Sequence, residues 1–287
     1  MVLDFLILPI VIISLLAVVF GVAIWTDRPN LSPAVEIGAM AVVALGGLAA
    51  VALVGQRLLQ VGPPVKDAVE VTVIAHQWWW EFDYPKYGFK TANELHVPAG
   101  REVVLTLHST NDFNPDTVHI VHGFWVRELG LNQPVPPGET QKLSFVPETA
   151  GKYAGRCSVY CGLSHQRMRF LVFVDPDGGF TRWVADQKGG PTPPREGPAA
   201  VGAGVFADSP CTTCHAIKGV SKGYIGPDLT HFGSRTTFAG SSLENTPGNV
   251  THWLEDPSHM KVDVRMPSMG LRGGQLRDVV AYLESLK

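Results

Sequence analysis

Charge is scarce in this sequence. Acidic and basic residues make up 17% of its 287 residues, against about a quarter in ordinary soluble domains, and the shortfall lies largely in roughly the first sixty positions. The formal net charge of −3 leaves no basic surplus to neutralise phosphates, which argues against nucleic-acid binding. Cysteine is nearly absent as well, with only four in the chain. There is no internal repeat, no substrate-pocket signature and no acid/base pair, so a catalyst acting alone is a poor reading.

The missing charges leave two apolar stretches. Residues 5–25 and 37–54 contain no charged side chain. The second extends to Leu59 if Gln56 and Arg57 reach toward lipid headgroups. Each is close to the ~20 residues that cross a hydrocarbon core as a helix. A cleaved signal peptide is the rival for the first run, but the opening Met1-Val2-Leu3-Asp4 has no positive charge and no small-residue cleavage site follows Trp25. An uncleaved transmembrane α-hairpin over residues 1–62 is therefore expected, in contact with membrane lipid. Arg28 in the connecting loop opposes Arg57 and Lys66 beyond the second helix, so the positive-inside rule does not decide its orientation.

Beyond Leu59 the period falls to two. Segments 69–75, 102–108, 118–126, 141–146 and 169–174 alternate or run apolar, and Pro98-Ala99-Gly100 and Pro136-Pro137-Gly138 supply turns between them. Many short strands at this spacing predict a β-sandwich over residues 63–180. Proline and glycine then crowd residues 189–198, which marks a linker, bounded as 181–199. Residues 200–287 form a last domain, ending in a helix on which Leu276, Val279, Val280, Leu283 and Leu286 recur at helical spacing.

Inside the expected sandwich, Cys157, Cys161, His165 and Met168 fall within one short segment. Thiolate, imidazole and thioether are donors that suit copper. A single Cys with His and Met would fit one copper; a second Cys four residues on lets two thiolates bridge two ions, so the spacing favours a dinuclear centre. Structural zinc has little use for Met and prefers paired short Cys or His spacings. A disulfide between Cys157 and Cys161 would leave His165 and Met168 without a role.

The Cys157-x-x-x-Cys161-x-x-x-His165-x-x-Met168 loop resembles that of cytochrome c oxidase subunit II. The resemblance extends to residues 121–126, to the aromatic run 76–84 and to the two-helix anchor, and so spans nearly all of residues 1–175. It implies a cupredoxin-like domain with a CuA centre, in which Cys157 and Cys161 bridge both coppers, His122 and Met168 complete one, and His165 with the Val159 carbonyl completes the other. His119 competes with His122, but three residues along a strand it points to the opposite face. Where the family carries Glu, this chain has Val159, which keeps the carbonyl and loses the carboxylate, so copper binding is expected and a magnesium site is put in doubt. The family also uses the first tryptophan of the aromatic run as the residue that accepts electrons, which matches Trp78. The rest of the run is better read as filling the base of the sandwich or lying at the membrane interface.

Cys211-Thr212-Thr213-Cys214-His215 is a c-type haem attachment motif, with two thioether links and His215 as proximal iron ligand. A thioredoxin-like pair is the rival, but no βαβ pattern surrounds it. An electron carrier needs a second axial ligand, commonly Met. Among Met260, Met266 and Met269, the segment 265–269 resembles the axial-methionine loop of small cytochromes c and selects Met266. Residues 226–235 resemble the loop of oxidase-fused, all-α cytochrome c domains in which a proline carbonyl orients the proximal histidine, implying that role for Pro227. His231 and His252 are expected at the surface or the haem edge.

Two cysteines for copper and two for haem leave none for a disulfide. Haem attachment takes place on the outer face of the bacterial membrane, which supplies the orientation: residues 60–287 should lie on the periplasmic or extracellular side of the cell membrane. The resemblance implies a multidomain membrane protein working as the electron-transfer subunit of a haem-copper oxidase, with catalytic subunit I and other membrane subunits as partners and a cytochrome c or quinol:cytochrome c reductase as donor. A copper-containing nitric oxide reductase is the nearest rival, and a copper carrier or assembly protein is the rival of another class. Nitrous oxide reductase would need a histidine-rich second copper domain that the sequence lacks.

Overall fold

The computed structural model describes residues 67–110 and 120–287, with six isolated positions (32, 34, 37, 38, 46 and 47). The expected hairpin over residues 1–62 and the rival ligand His119 lie outside the described residues. No helix among the described residues is long and apolar enough to cross a membrane. The chain divides into two units, residues 1–65 and 66–287, and the second contains two hydrophobic cores.

Ten strands enclose the first core: β1 (Val69–His76), β2 (Trp79–Tyr84), β3 (Phe89–Ala92), β4 (Glu94–Pro98), β5 (Val103–Ser109), β6 (His122–Val126), β7 (Leu131–Val135), β8 (Gln141–Phe145), β9 (Gly151–Cys157) and β10 (Arg169–Asp175). They form two five-stranded sheets, ordered β3-β2-β1-β5-β8 and β4-β10-β9-β6-β7. The β1/β5 and β4/β10 pairs are parallel and the other pairs antiparallel.

Period-two patterning builds the packing. Val69, Val71, Val73 and Ala75 on β1, with Val103, Leu105 and Leu107 on β5, are all buried because alternate side chains share one face. Phe170, Val172 and Val174 do the same on β10. Trp80, Phe124 and Phe170 close the core with edge and offset contacts, their ring centroids 4.6 to 5.6 Å apart. Each such ring buries a large area and adds about 0.5–1.5 kcal/mol from ring geometry. β7 carries Pro134 and sits at a sheet edge, where a missing donor is tolerated.

The expected strands are present, apart from the start of segment 118–126, whose first two residues are not described. Five more occur that period-two reading does not reveal. β2 is aromatic almost throughout, and on the face opposite Trp80, Phe82 and Tyr84 its Glu81 is buried against Lys90 at 2.6 Å, so burial on both faces hides the alternation. β9 carries Lys152, Ala154 and Arg156 on its exposed face and has only two buried residues, too few to produce a pattern.

Within the expected linker, residues 181–188 belong to helix α1 (Gly179–Lys188). Phe180 and Val184 join the first core, and Trp183 lies flat on His96 at 4.2 Å. Residues 189–196 have no regular secondary structure.

The second core begins with α2 (Gly197–Ala207) and includes the short turn α3 (Cys211–Cys214), α4 (Pro247–Glu255), α5 (Pro257–Met260) and α6 (Gly273–Ser285). α4 starts at Thr246, whose hydroxyl accepts from the Asn249 N–H, an N-cap that proline at the first turn reinforces. α2 crosses α6 at Gly202, where a Cβ would lie 1.9 Å from the Asp278 carbonyl oxygen, so only glycine permits the crossing. The region is helical, with two small hairpins added: Ala216–Ile217 with Ser221–Lys222, and Thr237–Phe238 with Leu243–Glu244. Two-residue strands carry no period, which is why the sequence reads as all-α there.

Candidate metal and haem sites

Strand pairing assembles the first site. β6 lies beside β9 with Phe124 opposite Cys157, which brings His122 alongside the end of β9. The chain leaves β9 at Cys157 and returns into β10 after a 3-10 turn, His165–Arg167. The Cys157 N–H donates to the Met168 carbonyl at 2.9 Å, closing the loop at its base. Gly123 lets β6 approach the loop: a Cβ there would lie 2.2 Å from the Ser158 hydroxyl oxygen, and the Ser158 N–H donates to the Gly123 carbonyl at 2.9 Å.

Of the six sequence-selected groups, two are the Cys157 and Cys161 sulfurs and the other four converge on them. The Cys157 and Cys161 Sγ atoms are 3.7 Å apart. Cys157 Sγ lies 3.8 Å from His122 Nδ1 and 3.1 Å from the Val159 carbonyl oxygen. Cys161 Sγ lies 3.5 Å from His165 Nδ1 and 3.8 Å from Met168 Sδ. His122, Cys157, Cys161 and Met168 are buried. Interaction with the Cys161 thiol first, and with the His122 imidazole and the Gly123 amide, holds the Cys157 thiol down to about 4 against its desolvation. The neighbouring thiolate and burial push the Cys161 thiol up. A pocket with two thiols 3.7 Å apart, a thioether and two imidazoles around them, and one buried imidazole nitrogen, His122 Nε2, without a partner among the described residues, fits copper by its donor chemistry. Tyr160 and Leu163 stand outward from the same loop, 72% and 68% exposed.

The second site lies on α3 and the segment behind it. Cys211, Cys214, His215 and Met266 line one largely apolar cavity, which Met260 and Met269 do not reach. His215 Nδ1 donates to the Pro227 carbonyl at 2.8 Å. A carbonyl only accepts, so this fixes the proton on Nδ1 and leaves Nε2 as the free lone pair. Burial lowers the His215 pKa, which favours that neutral form. Gly226 makes the approach feasible, since a Cβ there would lie 2.5 Å from the imidazole ring. The Trp253 indole N–H points at Met266 Sδ, 3.1 Å away, and fixes the thioether.

Two residues in this region gave no sequence signal. Arg235 lines the cavity, donates to the Asp228 carbonyl and leaves its buried Nε without a partner. A buried guanidinium with a vacant donor at the rim of an apolar cavity suits a haem carboxylate. Lys261 is the other, only 3% exposed. His231 departs from the surface position expected for it. It is 7% exposed, lies outside the haem cavity, and its Nε2 is within 3.3 Å of the Gln187 and Gly189 carbonyls, where it seals the end of α1. His252 is exposed, as expected.

The two sites meet at Trp78. Its indole lines the haem cavity, is 3% exposed, and donates through Nε1 to the Cys161 carbonyl at 2.9 Å. Gln77 Nε2 donates to the same carbonyl at 3.0 Å. Gly162, at φ +119°, makes room, since a Cβ there would lie 2.8 Å from the Trp78 ring. Trp80 is wholly buried in the sandwich and Trp79 stacks on His76 with centroids 4.0 Å apart, both packing roles that the sequence favoured. The second core is bound to the first by further contacts. The Glu94 carboxylate accepts from Thr236 N, Thr236 Oγ1 and Thr237 N at 2.8, 2.7 and 3.3 Å. Arg169 N donates to the Gly240 carbonyl at 2.9 Å and Ser164 Oγ to that of Val262.

The chain is a β-sandwich with two cysteines, a histidine and a methionine on one loop, continued into a helical region with a haem attachment motif. Residues 69–174 match the family model described as cytochrome C oxidase subunit II, periplasmic domain, and residues 199–287 match that of cytochrome c. Two successive regions of the chain thus each match a family model, the subunit II periplasmic domain first and cytochrome c after it. Cytochrome c oxidase subunit 2 of Alkalihalophilus pseudofirmus is 33% identical over 78% of this chain and 64% of its own length. That of Bacillus subtilis is 29% identical over 79% of this chain and 64% of its own length. The chain therefore spans just under two thirds of these relatives. The periplasmic domain of subunit II of cytochrome oxidase from Bradyrhizobium japonicum aligns with 43% of this chain and 96% of its own, at 22% identity and a TM-score of 0.39.

Proposed function

We propose that this chain is the electron-transfer subunit of a membrane terminal oxidase, taking electrons from a soluble or membrane-bound donor and passing them to a catalytic haem-copper subunit that reduces oxygen. Bound in their sites, a dinuclear copper centre and a c-type haem would supply two one-electron redox couples. Cys157 and Cys161 would bridge the copper pair, with His122, Met168, His165 and the Val159 carbonyl completing it. Cys211 and Cys214 would carry the haem, and His215 and Met266 would hold its iron, with Pro227 orienting His215. The observation that carries the reading is the convergence of four donor groups on two sulfurs 3.7 Å apart, one indole away from the haem cavity.

Each residue's task follows from its surroundings. Burial of His122, Cys157, Cys161 and Met168 keeps water from the sulfurs and limits reorganisation when charge changes. Pro227 and Trp253 fix the imidazole and the thioether before iron is bound, which is how outer partners set ligand basicity. Trp78 gives a direct bonded connection between the two sites: its ring borders one, and its N–H reaches the backbone of a ligand of the other. The proposed membrane anchor over residues 1–62 would hold both sites on the periplasmic or extracellular face of the cell membrane. Val159 offers no carboxylate for magnesium.

That same absence favours, as a second reading, a nitric oxide reductase built on the same copper site. Oxygen consumption and nitric oxide consumption by the assembled complex, measured with one reduced donor, separate the two. Oxygen uptake that ceases in the Cys161→Ser variant supports the oxidase; nitric oxide uptake without oxygen uptake rejects it.

A further inference from the structure

Lys261 is a cation sealed between the two cores. It follows α5, and its ammonium donates to the backbone carbonyl of Trp78 at 2.5 Å and to that of Ala239 at 3.0 Å. The first carbonyl belongs to the sandwich and the second to the cytochrome region. Among the described residues no carboxylate pairs with it, although burying an unpaired charge is strongly unfavourable. Burial, with Arg167 adding to it and Cys161 opposing, lowers the Lys261 pKa to about 7. A methionine or leucine would fill this space without that cost, but neither could make the two backbone contacts that the ammonium makes.

It holds the backbone of the residue that joins the two sites. The backbone opposite is shaped to the same contact: Gly240, at φ +72°, brings its Cα so close that a Cβ would lie 2.6 Å from the Arg167 carbonyl oxygen, 2.7 Å from Lys261 Nζ and 2.8 Å from the Trp78 carbonyl oxygen. Nζ, the Trp78 carbonyl and the Gly240 Cα thus meet at one point with no room for another carbon.

We propose that Lys261 is a positioning residue for electron transfer within the chain: by clamping the Trp78 carbonyl to the 239–240 turn, it holds the indole at once against the haem cavity and the Cys161 carbonyl. The proposal rests on the Trp78 connection put forward above and adds the group that sets its geometry. It also gives the docking of the two regions a function, since a tethered domain free to swing would offer Trp78 only intermittently.

The test uses the full chain with both centres loaded. Lys261→Met keeps the side chain's length and removes its donors, and Gly240→Ala disturbs the same point from the opposite side. Two quantities are read: hydrogen–deuterium exchange of peptides covering residues 76–80 and 238–242, and the rate of haem-to-copper electron transfer after photoreduction, with both reduction potentials measured. Exchange should rise in those two segments and stay unchanged in residues 69–75 of β1 and in β5, and the rate should fall by up to about a hundredfold, the order that a misplacement of about 1 Å produces, at unchanged potentials. Unchanged exchange in both variants, or a rate change accounted for by shifted potentials, overturns the clamp. Trp78→Phe is the separate control: if it leaves the rate intact while Lys261→Met still loosens the two segments, the Trp78 connection fails although the docking role of Lys261 stands.

Discussion

Replacing Glu94 by Ala removes the carboxylate that ties the haem-bearing region to the sandwich. One oxygen of that group accepts three hydrogen bonds, from Thr236 N, Thr236 Oγ1 and Thr237 N. At about 1.5–3 kcal/mol for a bond to a charged group, three would total roughly 5–9 kcal/mol. That sum is a ceiling. Thr236 is exposed, so its two donors regain water in the variant, and only Thr237 N, the longest and most sheltered contact, stays poorly satisfied. The expected loss is about 2–3 kcal/mol. Loss of the carboxylate also withdraws a charge that favours the buried Arg235 guanidinium. Urea unfolding followed separately by haem absorbance and by the copper band should show the haem transition moving to lower urea and separating from the copper transition. Glu94→Gln, which retains the acceptor oxygen, should lose roughly half as much. A Glu94→Ala chain whose two transitions remain coincident and within about 0.5 kcal/mol of the parent would refute this view of the interface.

Four further outcomes are expected. Met168→Leu should alter the copper spectrum and spare the haem, and Met266→Leu should do the reverse; the volumes nearly match, so each should cost under about 1.5 kcal/mol in stability, measured by denaturation. Gly226→Ala should drive a methyl into the His215 ring and weaken the axial bond, seen as a haem spectrum that shifts toward five-coordination. Phe170→Ala, beneath Trp80 and Phe124, should cost about 3–5 kcal/mol by cavity formation, read from the urea midpoint of the copper band. Gly123→Ala should expel Ser158 and slow or abolish copper loading in a metal-uptake titration, and adding Ser158→Gly should recover part of it.

The two chemical sites were largely legible because their donors are close in sequence. Cys157, Cys161, His165 and Met168 share one loop, and Cys211, Cys214 and His215 one turn. His122, 35 residues away, and Met266 needed the family resemblance, since nothing in their own neighbourhoods distinguishes them from packing residues. The strands with clean alternation, β1, β5, β8 and β10, could be read directly. β2 and β9 could not, because one is aromatic almost throughout and the other mostly exposed. Proline and glycine crowd residues 189–198, of which 189–196 carry no regular secondary structure, but helix α1 reaches into the expected linker, anchored by Phe180, Trp183 and Val184. Arg235 and Lys261 left no trace because their importance comes from burial between two regions distant in sequence. A lone lysine in a polar segment looks like a solvated one until the fold closes over it.

The central claim is that two thiolates hold two copper ions beside a covalent haem. Metal analysis of the purified full chain, combined with its electron paramagnetic resonance spectrum, tests this most directly. The account predicts two coppers and one haem iron per chain, with hyperfine structure from one unpaired electron shared equally by both coppers. Zinc, a single copper with a four-line pattern, or a Cys157–Cys161 disulfide in the isolated protein would contradict it.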